Sequence, residues 1–100
     1  MNAPLTQKFD YLPGMSLRAL VRDGNPWFVA KDVCVVLGYR NGPGTVKDHV
    51  QEADKGIAIC STLGGAQSLT VINESGLYAL VLKSYKVEAR AFQQWVTREV

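Results

Sequence analysis

The sequence predicts an α+β domain in which two β-hairpins form a small antiparallel sheet packed with about four short-to-medium helices. Three observations predict it. Two stretches alternate in side-chain character on either side of a turn signal, one around Asp23-Gly24 and one around Gly64-Gly65. Between and after them the apolar spacing changes to a helical three-and-four pattern, in Val33, Val36 and Leu37 and again in Leu77, Leu80 and Val81. A chain of 100 residues, 47% of them apolar, can bury a single modest core.

The elements follow in order. Residues 1 to 15 contain Pro4, Pro13 and Gly14 among polar groups, with Phe9, Tyr11 and Leu12 too few to define a periodic face. They read as a flexible arm before a domain spanning 16 to 100. From Ser16 to Arg22, Leu17, Ala19 and Val21 alternate with Arg18, Leu20 and Arg22. Asp23-Gly24 then supplies the positive backbone angles of a tight turn, and Pro26 to Val29 is the return strand. Lys31 to Leu37 is a short helix, with Gly38 at its C-cap. A Gly/Pro-rich link from Gly38 to Gly44 leads to Thr45-Val46-Lys47-Asp48, whose S/T-x-x-D/E form is a capping box that opens a second short helix. The second hairpin runs through Ile57, Ile59 and Ser61 to a turn at Gly64-Gly65 and back through Leu69, Val71 and Asn73. Asn73 caps a third helix that ends near Lys83-Ser84. From Lys86 onward Ala89, Phe92 and Val96 share one helical face, while Arg90, Gln93, Gln94, Thr97 and Arg98 share the other. This last pattern reaches Val100 without a cap, which predicts a longer native chain.

Composition removes several classes of function. The formal charge is +2, from 11 basic and 9 acidic residues, a balance that permits a nucleic-acid partner without demanding one. Cys34 and Cys60 lack the spacing of a zinc site and read as two reduced, buried thiols, so no metal, no cofactor and a cytoplasmic setting are expected. No apolar run is long enough to cross a bilayer, and no signal-peptide pattern opens the chain. The single His49 adjoins Asp48, but neighbours on a helix diverge and cannot form an orienting pair. Gly64-Gly65 lies between strand patterns and lacks the Lys-Ser/Thr of a phosphate-binding loop. Trp27, Phe28, Phe92 and Trp95 sit on apolar faces and fit a core better than base stacking. No catalytic residue is assigned, and an enzyme is not expected.

Lys31, Arg40, Asn41, Lys47, His49 and Lys55 are the candidate nucleic-acid contacts, since each can donate to a phosphate or a base edge. Asp32, Asp48, Glu52 and Asp54 cancel the local charge, so binding depends on how the fold sorts the signs, and a mixed solvated surface is the competing reading. The two short helices are either a helix-turn-helix relative or a pair of helices covering a sheet; the link from Gly38 to Gly44 is longer than the usual turn of such units. A secondary basic face, Lys83, Lys86, Arg90 and Arg98, is opposed by Glu88 and Glu99.

The ordered strings Pro26-Trp27-Phe28-Val29-Ala30-Lys31-Asp32-Val33, Leu37-Gly38-Tyr39 and Val46 to Val50 resemble the BRO family N-terminal domain, Bro-N. So do Asp54-Lys55-Gly56, Ile72-Asn73-Glu74-Ser75-Gly76-Leu77-Tyr78, Ala91-Phe92 and Trp95 to Val100, and the likeness covers about Ser16 to Val100. The resemblance implies a compact α+β module that binds DNA, as in phage and prophage antirepressors and the BRO proteins of baculoviruses, usually followed by a variable C-terminal domain. It implies a non-enzymatic DNA-binding domain of an antirepressor-type transcriptional regulator in the cytoplasm of a bacterial host, with weak sequence preference. The alternative is a protein-interaction module that binds a phage repressor or self-associates as a homo-oligomer, with DNA binding incidental.

Overall fold

The computed structural model describes residues 7 to 84 and 88 to 99. Strands β1 (Gln7–Leu12), β2 (Met15–Arg22), β3 (Asn25–Val29), β4 (Lys55–Thr62) and β5 (Gly65–Asn73) form one antiparallel sheet in the order β1-β2-β3-β5-β4. Helices α1 (Ala30–Leu37) and α2 (Gly42–His49), with a short 3-10 turn at Glu52–Asp54, connect β3 to β4; α3 (Glu74–Lys83) and α4 (Glu88–Glu99) follow β5. This is an α+β fold.

The first hairpin forms as the alternation requires. Asp23 and Gly24 both take positive φ, 53° and 77°, the mirror-image turn whose twist matches that of flanking strands. The second hairpin turns at Leu63-Gly64, one residue before the pair read from the sequence, because Thr62 faces Gly65 across the ladder. Its inward residues are Ala58 and Cys60, while Ile57 and Ile59 stay exposed, so the small side chains of β4 are the ones in the core.

The arm expected over residues 1 to 15 is corrected from Gln7 onward; residues 1 to 6 lie outside the described part. β1 pairs with β2 from Gln7↔Ala19 to Leu12↔Met15. Phe9 and Tyr11, one face of that strand, meet an aromatic cluster on α4: Tyr11 lies 5.2 Å from Phe92 and 4.8 Å from Trp95, and Phe9 lies edge-on to Trp95 at 6.5 Å. Partners some eighty positions away in the chain stabilise this strand, which is why its own periodicity is too short to announce it.

Two cores lie on opposite sides of the sheet. On the helix side Leu17, Ala19, Phe28 and Ile72 pack against Val33, Leu37, Leu77, Leu80 and Phe92. On the other side Leu20, Val29, Ala58, Cys60 and Val71 are buried together, with Trp27 and Leu69 partly covered against them. Among the described residues no helix contributes to this second cluster. It closes because the sheet coils until β2 and β4, with two strands between them, meet. Arg22 bridges them: its guanidinium sits 5.5 Å over the Trp27 ring and Nη2 donates to the Ile57 carbonyl at 2.9 Å.

Candidate nucleic-acid interface

α1 begins immediately after β3 and is anchored at its first turn. Asp32 accepts from the Arg18 backbone N–H at 3.0 Å, and takes Nε and Nη2 of the same arginine at 2.8 and 2.9 Å on its two oxygens. That forked pairing raises the Arg18 pKa, the hydrogen bond to Asp32 outweighing the opposing effect of burial. It also removes from the α1 surface the one carboxylate that neighbours Lys31. The helix ends as its sequence indicates. Gly38 adopts φ 79°, its N–H donates to Val35 O at 3.1 Å and the Tyr39 N–H donates to Cys34 O at 2.9 Å.

α2 begins earlier than the Thr45 capping box predicts. Asn41 is the N-cap, its Oδ1 accepting the Gly44 N–H at 3.1 Å, and Pro43 occupies the first turn, where its missing N–H costs nothing. Thr45 lies inside the helix, with Oγ1 donating to the Asn41 carbonyl at 2.8 Å. A Cβ on Gly44 would stand 2.5 Å from Asn41 Nδ2, so a side chain there would make the capping amide shift. The glycine-rich stretch is therefore mostly helix, and the connection between α1 and α2 shrinks to residues 38 to 41, a length that helix-turn-helix units use. The Tyr39 hydroxyl donates to the Leu80 carbonyl at 2.6 Å and ties this connection to α3.

α1, the connection and α2 form one wall of a groove of about 690 Å³; the base of the β4–β5 hairpin forms the other. Lys31, Arg40, Lys47 and Lys55 all line it, and no aspartate or glutamate does. Ser68 and Thr70 face the helices across the groove, and Cys34, Val35, Pro43 and Val46 supply apolar wall. Lys31, Arg40 and Lys47 are exposed and take part in neither of the two ion pairs among the described residues. Lys55 differs: it is held at 2.9 Å by Glu52 and its side chain is only 16% exposed. Burial pushes the Cys34 thiol from the usual 9.0 up to about 11, so it stays neutral in the wall of this cationic groove.

Four of the six sequence candidates thus converge. Asn41 and His49 do not line the groove: Asn41 caps α2, and His49 is exposed at the end of that helix. Of the secondary face, Lys83, Arg90 and Arg98 are exposed on α3 and α4 and remote from the groove lining, while Lys86 lies outside the described residues. Ser68 and Thr70 escaped the sequence reading. Their signal was the two-residue period of β5, which puts both on the same face as Ile72. The described residues contain no cluster of His, Cys, Asp and Glu fit to hold a metal, and no helix long and apolar enough to cross a membrane.

The profile of the BRO family, N-terminal domain (Bro-N), matches residues 16–100. An uncharacterized protein of Haemophilus influenzae is 40% identical over 77 residues, covering 77% of this chain and 38% of that protein. A Bro-N domain-containing protein of Invertebrate iridescent virus 6 is 32% identical over 89 residues, covering 71% of this chain and 21% of its own length. The chain therefore spans well under half of the relatives it matches. No solved structure matches it.

Proposed function

The chain belongs to the BRO family, whose N-terminal domain it carries, and on that premise we propose that it binds DNA in the groove between α1, α2 and the β4–β5 hairpin, without catalysis, as the DNA-binding part of an antirepressor-type transcriptional regulator acting in the host cytoplasm. One observation carries the reading: four cations line a single groove from which every carboxylate is absent, in a protein whose net charge is only +2. Asp32 is held by Arg18 and Asp54 accepts from Asn73 Nδ2 at 3.1 Å, while Asp48 is exposed on α2 outside the lining and Glu52, also outside it, pairs with the groove cation Lys55. A positive concavity of this kind attracts the phosphate backbone and fixes register, while the hydroxyls of Ser68 and Thr70 and the apolar wall are suited to sugar and base edges.

Phosphate-led binding carries little sequence information. The domain should bind unrelated duplexes of equal length with affinities within a few-fold of one another, read by fluorescence anisotropy at about 50 mM salt. Absence of binding under those conditions would overturn the proposal. A second reading, that the domain engages a repressor or its own copy, has one feature in its favour: Ile57 and Ile59 stand exposed on β4, outside the groove lining.

A further inference from the structure

From Gly56 to Asn73 the chain has no charged residue, yet the strands it forms reach the rim of the sheet. Ile57 and Ile59 are 62% and 51% exposed there. Edge strands are ordinarily blunted by a charge, a proline or a covering element, because their unpaired N–H and C=O groups invite another strand. The opposite rim meets that requirement: β1 exposes Lys8 and Asp10 and packs Phe9 and Tyr11 onto α4. β4 does not. Beyond Lys55 it carries no charge, and its outer edge is touched among the described residues by the Arg22 guanidinium at Ile57.

That contact also fixes the phase of the edge. The Ile57 carbonyl points away from β5, and an antiparallel ladder alternates every residue, so the backbone groups of Ile59 and Ser61 point outward as well. We propose that β4 pairs with β4 of a second copy of this chain, antiparallel about a two-fold axis at Ile59, joining the two five-stranded sheets edge to edge. A strand edge is its own complement under a two-fold rotation, and an uncharged one meets its copy without like-charge repulsion. In this register Ile59 lies opposite the partner's Ile59, and Ile57 opposite the partner's Ser61. The Ile57 carbonyl keeps a second lone pair for that bond while Arg22 occupies the first.

The axis runs perpendicular to the sheet, so the helix sides of the two copies face the same way. Both grooves then lie on one side of the joined sheet, where a single duplex can meet both. This consequence rests on the DNA reading; the pairing itself does not. Strand pairing alone is a small interface beside the roughly 1,200 Å² of a standard one, so the expected association is weak and the test extends to high concentration.

Sedimentation equilibrium of the 100-residue chain from about 1 to about 300 μM is the test. The expected result is a monomer–dimer equilibrium for the wild type. Ile59→Lys puts a charge at the axis and should leave monomer throughout, with unchanged circular dichroism. Ile59→Thr keeps the strand preference and should weaken the dimer roughly tenfold. A wild type that stays monomeric across the range, or a dimer that both variants leave intact, overturns the proposal. Loss of DNA binding with the dimer preserved would sink the groove assignment and leave the pairing standing.

Discussion

The groove carries four basic side chains and the outer face of α4 two, and only the groove is a surface without carboxylates among them. On α4, Arg90 and Arg98 alternate with Glu88 and Glu99 around an exposed face, while Ala89, Phe92 and Val96 are buried beneath. That helix is there to cover the sheet and hold β1. In the groove, Lys31, Arg40 and Lys47 come from three consecutive pieces of backbone, no carboxylate shares the lining, and Asp32 and Asp54 are held by Arg18 and Asn73. The difference is one of sorting as well as of count. A mixed run in sequence becomes a one-sign surface only when the fold gives each acid somewhere else to bond.

The largest expected effect tests the packing role assigned to α4. Phe92 is 1% exposed and stacks in the aromatic cluster with Tyr11 and Trp95, so Phe92→Ala should cost about 3–5 kcal/mol in urea unfolding. At low temperature, the fraction that remains folded should bind DNA as the wild type does. Charge reversal sharpens the contrast directly. Arg40→Glu with Lys47→Glu should weaken DNA binding on the order of 50-fold at low salt, whereas Arg90→Glu with Arg98→Glu should change it less than about threefold. The reverse ranking would move the interface to α4.

A smaller effect concerns the groove wall itself. The Cys34 thiol is raised from 9.0 to about 11 by burial, so between those values the unfolded chain loses its proton and the folded chain keeps it. The unfolded state then binds fewer protons, and stability, fully present below about pH 9, falls as pH rises toward about 11. Cys34→Ala should flatten that part of the pH profile of the urea midpoint, although it lowers stability at neutral pH by removing a buried side chain.

Much of the fold was legible because its signals are local. Asp23-Gly24 sets one hairpin, Gly38 stops α1 and Asn73, whose Oδ1 accepts the Gly76 N–H at 2.9 Å, starts α3; each acts within a few residues of itself. Three features were hidden because their causes are distant or compete locally. β1 depends on α4 for the partners of Phe9 and Tyr11. The start of α2 was read at Thr45, but Asn41 caps the helix four residues earlier, with Pro43 in its first turn. On β4, the alternation of Ile57 and Ile59 does not say which face is covered: they share the face of Ser68 and Thr70 and stay exposed, while Ala58 and Cys60 are buried on the other. The candidate site follows the same division. Its cations were visible as residue types, but the separation of Lys31, Arg40 and Lys47 from Asp32, Asp48 and Asp54 exists only in three dimensions.

The salt dependence of binding tests that separation most directly. With Lys31, Arg40 and Lys47 each neutralising one phosphate, the logarithm of the binding constant should fall with the logarithm of salt at a slope of about −2.7, or about 40-fold between 50 and 200 mM. The triple variant Lys31→Ala, Arg40→Ala, Lys47→Ala should bind weakly and with a slope close to zero. A triple variant that keeps the wild-type affinity and slope would show that DNA is held elsewhere on this domain and would contradict the assignment of the groove.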